Sequence, residues 1–223
     1  MKHIDIVIPT RNRYPKLRKA LLSIPNDPRF SVKVIVDGEE VTLNRFGEDL
    51  ESFWKDRDIA VFHEKKHRGI VYCRNSIIRM CDDGVLYATD DIIFQPNSID
   101  NALRAFNEHF PDDDGIVGFV QTGNKKYHPS AVGLVGQKFL QRYPDKQLFC
   151  PSYFHFACQE IYWLASKHGI FYQEVTAGVH HLNPFIYKEE LDQTHKDARL
   201  YKDKDTAVRQ ERKARGLIWG DND

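Results

Sequence analysis

Along the chain, short apolar runs alternate with stretches whose apolar residues recur at helical spacing. Residues 4–8, 32–36, 59–62 and 85–88 are largely apolar runs of four or five residues, as expected of strands buried on both faces. Behind the first of them Pro15 suits an opening helical turn, and Leu17, Ala20, Leu21 and Ile24 fall on one face. Ile70, Cys73, Ile77, Ile78 and Cys81 form a second such face. Ile99, Leu103, Phe106 and Phe110 form a third, which opens at Asn97 or Ser98 as cap. The order through residue 110 reads β-α-β-β-α-β-α, which predicts a mainly parallel sheet with helices on both faces; a short helix is expected in the polar stretch 41–58.

After Pro111-Asp112-Asp113-Asp114-Gly115 the pattern changes. Residues 116–120 predict a strand, but 121–153 mix glycine, aromatic and polar residues around the short apolar piece 131–135. Residues 158–165 predict a helix closed at His168-Gly169, and 170–175 a strand that leads to His180-His181. From residue 188 onward the chain is dense in charge and expected to be partly helical. The reading is therefore one α/β domain over 1–187, in halves 1–110 and 111–187, with a charged tail over 188–223.

Composition narrows the partners. With 223 residues the chain can bury one substantial core, and 32 Lys+Arg against 32 Asp+Glu leave no global field toward nucleic acid or an anionic membrane. Locally, residues 196–215 carry eight basic against four acidic residues. This reads as a solvated helix, with a phosphate-covering or nucleic-acid-touching tail as the alternative. Cys73, Cys81, Cys150 and Cys158 form no C-x-x-C pair, so reduced thiols are expected rather than a zinc framework. The opening apolar run is too short for a signal peptide and no later run approaches a membrane span, so a soluble, cytoplasmic protein is expected.

The chemistry sits at the strand ends, where open α/β sheets bind ligands. The first strand runs into Pro9-Thr10-Arg11-Asn12-Arg13, the second into Asp37-Gly38-Glu39-Glu40, and the fourth into Thr89-Asp90-Asp91. Adjacent carboxylates repel, so Asp90 and Asp91 make most sense with a cation between them and a ligand; a turn closing the strand is the plainer alternative. Divalent ions are commonly held by one or two carboxylates together with substrate phosphates.

In this order the motifs resemble a nucleotide-sugar glycosyltransferase of the GT-A fold, closest to the family 2 group, from Ile4 to Pro184. That fold is a Rossmann-like, mainly parallel sheet flanked by helices. The resemblance makes 1–110 the nucleotide-sugar half and 111–187 the acceptor side. Pro9, Thr10, Arg11 and Asn12 resemble the family's nucleotide-binding loop, Asp37 its base-contacting aspartate, and Gly69 with Arg74-Asn75 its glycine and Arg-Asn pair near the diphosphate. Thr89-Asp90-Asp91 takes the place of the metal-binding Asp-x-Asp; with Thr89 at the first position, Asp91 is the firmest ligand and Asp90 a second ligand or a ribose contact. Gln159-Glu160 stands where the family has Glu-Asp, which makes Glu160 the candidate general base of an inverting transfer. His180 or His181 is placed where relatives add a third metal ligand, and imidazole beside carboxylate favours Mn²⁺ over Mg²⁺.

The resemblance thus implies a metal-dependent transferase that moves a sugar from a nucleoside-diphosphate donor, UDP favoured, to the hydroxyl of a glycan, a small molecule or modified DNA. One alternative is a viral-type enzyme acting on hydroxylated bases in DNA through Lys125-Lys126-Tyr127-His128 or the tail. More distant are a sugar-nucleotide pyrophosphorylase, whose glycine-rich phosphate loop is missing after the first strand, and a non-catalytic nucleic-acid-binding protein.

Overall fold

A computed structural model describes residues 1–123, 127–182 and 191–221. Lys125-Lys126, Asn183-Pro184 and the expected boundary at 187/188 lie outside the described residues. The first half follows the apolar pattern closely: β1 Ile4–Thr10, α1 Tyr14–Ser23, β2 Phe30–Asp37, α2 Val41–Asp49, β3 Ile59–Glu64, α3 Ile70–Ile78, β4 Gly84–Tyr87, β5 Ile92–Phe94 and α4 Ser98–His109. A π-helical turn, Leu50–Trp54, extends α2 and buries Trp54 against Phe46. The second half adds β6 Ile116–Thr122, β7 Gly133–Val135, the short α5 Gln137–Leu140, α6 Cys158–Lys167, β8 Phe171–His181 and a long helix, α7 Gln193–Ala214.

The strands form one sheet in the order β3-β2-β1-β4-β7-β6-β8-β5. β3, β2, β1, β4, β6 and β8 run one way, while β7 and β5 run against them. β1 continues past its expected stop at Pro9 to pair Thr10 with Val36. Val7 faces β4, since its carbonyl accepts from Ala88 N. Pro9 has the same parity, so its missing N–H falls beyond the end of β4, where no ladder bond is lost.

Alternation along β1 divides the core. Ile4, Ile6 and Ile8 pack on one face with Leu17 and Leu21 of α1 and Ile99, Leu103 and Phe106 of α4. Val7 packs on the other with Cys73 and Ile77 of α3, Ile161 and Leu164 of α6, and Cys81. All four cysteines are free thiols, and Cys73 and Cys81 fill the core as their spacing predicts.

Two features aim the ends of the sheet. In β8 the register against β6 jumps from Phe119↔Glu174 to Val120↔Gly178, so residues 175–177 bulge out. Glu174 accepts from Thr176 N and Oγ1, which locks the bulge, and the strand beyond it is re-aimed to pair with β5 and carry His181 to the edge where β4 ends. The second feature is α7: rather than a solvated tail, its first turns line the cavity at that edge, and Asp205 in its middle is fully buried.

Candidate active site

A cavity of about 510 Å³ opens at the carboxyl edge of β1, β2 and β4. Its walls include Pro9, Thr10, Arg11, Asp37, Gly69, Asp90, Asp91 and His181 from the expected set, together with Arg13, His155 and His195. Asp90 and Asp91 are buried side by side. Thr10 Oγ1 donates to Asp90 Oδ2 at 2.8 Å. Arg13 Nη1 reaches both carboxylates, Asp90 Oδ1 at 3.1 Å and Asp91 Oδ2 at 3.3 Å. The cation that two adjacent carboxylates demand is, in the protein alone, Arg13.

Arg13 is in turn gripped by α7. Its Nε and Nη2 donate to the two oxygens of Asp192 at 3.0 Å each, and Lys16 Nζ adds a 2.9 Å contact to the same carboxylate. Asp192 is the N-cap of α7, accepting from His195 N. His195 Nδ1 lies 2.6 Å from Arg13 Nη2 and 2.8 Å from Asp192 Oδ1. Thr194 Oγ1 donates to the carbonyl of Arg11, tying the helix start to the loop after β1.

The charges settle accordingly. Burial pushes the Asp90 carboxyl up against the pull of Arg13, and the neighbouring Asp91 charge adds to the rise. Burial acts on Asp91 in the same sense, but the hydrogen bond and charge of His181, with Arg13, hold it well below the usual carboxylate range. Asp192 is likewise depressed: His195, Arg13 and Lys16 outweigh its desolvation. Burial lowers the Arg13 pKa, but the surrounding carboxylates more than reverse it, so Arg13 stays charged.

Asp91 presents one oxygen to His181 Nε2 at 3.3 Å and the other to His195 Nε2 at 3.9 Å. A carboxylate flanked by two imidazoles suits a borderline divalent ion such as Mn²⁺ by donor type. Among the described residues no three His, Cys, Asp or Glu side chains are gathered as a cage, and Arg13 reaches both carboxylates. An ion entering there would have Asp91 and His181 as the donors within reach and would have to displace the Arg13 contact. His180 does not line the cavity: neighbouring residues of a strand face opposite sides of the sheet, and His181 is the one turned inward.

Several expected contacts are otherwise occupied. Asp37 Oδ1 accepts from Arg68 N at 2.7 Å and Oδ2 from Gly69 N at 3.0 Å, with His67 Nδ1 2.8 Å away, so this carboxylate shapes the turn into α3. Arg11 Nη1 donates to the carbonyls of Asp37 and Gly38. Asn12 takes a left-handed φ of 54° and donates its N–H to Glu39. Arg74 is buried, donating to the Ala88 carbonyl at 2.7 Å between the rings of Tyr87 and Phe149. Asn75 makes a reciprocal pair with the Phe149 backbone and lines a neighbouring cavity of about 390 Å³ that shares the His67 and Phe154 wall. Neither Arg74 nor Asn75 lines the larger cavity.

Glu160, the expected base, is also placed elsewhere. Its carboxylate accepts from Tyr153 Oη at 2.6 Å, Arg212 Nε and Nη2 at 2.7 and 2.9 Å, and Trp219 N at 2.7 Å. It is buried, does not line the cavity, and anchors the far end of α7. Sequence reasoning missed Arg13 as the central cation, Asp192 and His195 as its supports, and Asp205 as the anchor of the backbone of residues 154–156. The one local signal was Asp192 three residues before His195 at the start of a polar helix, a capping pattern.

Residues 5–165 match the family described as Glycosyl transferase family 2. The chain belongs to this family. Its fold is shared with solved glycosyltransferases of low sequence identity. A mannosyltransferase, PcManGT from Pyrobaculum calidifontis, in complex with GDP-Man and Mn²⁺, superposes with a TM-score of 0.63 at 16% identity over 81% of this chain and 56% of its own. TarS 1-349 from S. aureus gives 0.59 at 13% identity over 87% of this chain and 68% of that one. GalNAc-T7 with UDP, GalNAc and Mn²⁺ gives 0.65 at 11% identity over 81% and 44%. The chain thus spans about half to two thirds of the length of these neighbours. No curated protein sequence matches it. Family membership sets aside the pyrophosphorylase and the non-catalytic nucleic-acid binder.

Proposed function

We propose that this family 2 domain transfers a sugar from a nucleoside-diphosphate donor, with UDP favoured, to an acceptor hydroxyl in a metal-dependent, inverting reaction. The observation that carries the reading is the buried Asp90-Asp91 pair lining a cavity that is also bordered by the end of β1 and the turn into α3. Pro9, Thr10 and Arg11, which line the cavity, would border the nucleotide, and Asp37, which accepts from Gly69 N, would fix the turn beside it. Asp91 with His181 would hold a divalent ion, and bound there it supplies charge for the leaving diphosphate. Neighbours solved with GDP-Man or UDP and Mn²⁺ support the same chemistry by analogy of fold.

Arg13 then has a defined task. Released from the carboxylate notch, its guanidinium remains beside the cavity and can donate paired hydrogen bonds to phosphate oxygens. Its present seat favours a second reading, in which Arg13 alone neutralises the diphosphate and no ion is needed.

Hydrolysis of UDP-sugars and GDP-sugars, followed with Mn²⁺ and with EDTA, separates the two. The metal-dependent reading expects turnover with Mn²⁺, loss in EDTA, and loss in Asp91→Ala with the far-ultraviolet circular dichroism unchanged. Undiminished turnover in EDTA moves the role to Arg13, and full activity of Asp91→Ala removes Asp91 from the site.

A further inference from the structure

With Glu160 committed to Arg212, an inverting transfer lacks a group to take the acceptor proton. The cavity carboxylates are engaged: Asp37 by the turn into α3, Asp90 by Thr10 and Arg13, Asp91 by His181 and Arg13, and Asp197 by Gln193 and Arg11. Two of the imidazoles are engaged as well, His67 by Asp37 and His181 by Gln121 and Asp91, while His195 sits between Asp192 and Arg13. His155 differs. It lines the cavity, and among the described residues its ring makes no hydrogen bond, only an edge contact to Phe156 at 4.6 Å between centroids.

Its backbone, by contrast, is fixed. The N–H groups of Phe154, His155 and Phe156 all donate to the buried Asp205 carboxylate of α7, at 2.9, 2.8 and 2.9 Å. Three converging N–H donors on one carboxylate hold a loop rigidly, while the side chain between them is left available to a ligand.

We infer that His155 is the general base of the transfer. The inference rests on the transferase reading above. As the acceptor oxygen bonds to the anomeric carbon, its proton passes to the unprotonated ring nitrogen of His155. The bond from that carbon to the diphosphate breaks, its electron pair stays on the phosphate oxygen, and His155 later returns the proton to solvent. Burial, with Arg74 and Arg13 facing the ring and only Asp205 and Asp91 opposing, brings the imidazole pKa down to about 4, so it is neutral and able to accept at neutral pH. A base this weak takes the proton late, once the attacking oxygen has become acidic through bond formation.

The test uses hydrolysis of UDP-sugars and GDP-sugars with Mn²⁺, water serving as acceptor, in wild type, His155→Ala and His155→Asn. Both variants should bind UDP as wild type does and hydrolyse the donor at least about a hundredfold more slowly. Added imidazole should restore part of the rate in His155→Ala. Wild-type rates in both variants overturn the assignment while leaving the transferase reading intact. So does a rate loss that follows lost UDP affinity, or one that imidazole does not relieve, since either marks a structural residue. A wild type that binds neither UDP nor GDP and hydrolyses none of their sugars overturns the transferase reading, and the base with it.

Discussion

At the scale of single residues, the carboxylates divide into those that line the cavity and those buried away from it that hold the protein together. Asp90 is pinned by Thr10 and Arg13 and raised by burial, whereas Asp91 is held low and faces imidazole nitrogens on both oxygens. The same carboxyl group therefore has two fates one residue apart, set by which partners the fold supplies. Glu160 belongs to the second class. Replacing it with Gln leaves Arg212 without its charge partner in a buried setting, which typically costs about 3–5 kcal/mol. Urea unfolding should show that loss for Glu160→Gln, with nucleotide affinity of the folded fraction unchanged. Unaltered stability would mean that Arg212 finds another partner.

At the scale of elements, α7 joins the two ends of the site. Its N-cap Asp192 grips Arg13, its middle residue Asp205 holds the loop of residues 154–156, and Arg212 near its end binds Glu160. Asp192 titrates below the ordinary carboxylate range when folded, so the unfolded chain binds its proton more readily. Stability from this contact is therefore fully present above about pH 4, and is lost as pH falls from there toward the depressed folded value. Asp192→Asn should melt earlier than wild type at pH 7 and lose less on acidification from pH 5 to 3. Parallel acid-melting curves for the two proteins would contradict this linkage. Asp205→Ala should leave three N–H donors unpaired in a buried place and loosen the loop, seen as faster amide exchange at Phe154, His155 and Phe156.

At the scale of the whole molecule, the sheet and its flanking helices were legible because their signal is periodic and local. Short apolar runs mark buried strands, and the Leu17-Ala20-Leu21 and Ile99-Leu103-Phe106 faces mark helices, whatever happens far away in the chain. Asp90 and Asp91 were legible because a strand end is a local event too. What was hidden depends on residues distant in sequence. Arg13 meets Asp192 across 179 positions, and Glu160 meets Arg212 across 52, so neither pairing leaves a pattern to read. Nor does the β8 bulge that chooses His181 over His180, because a strand pattern does not announce its register. Among the described residues no helix is long and apolar enough to cross a membrane.

The most direct test of the central claim is calorimetric titration of the whole chain with UDP and with GDP, in Mn²⁺ and again in EDTA. Saturable one-to-one binding of a nucleoside diphosphate in Mn²⁺, lost in EDTA and in Asp91→Ala, is expected if the Asp90-Asp91 cavity is the donor site. Absence of binding by either nucleotide under both conditions would contradict it.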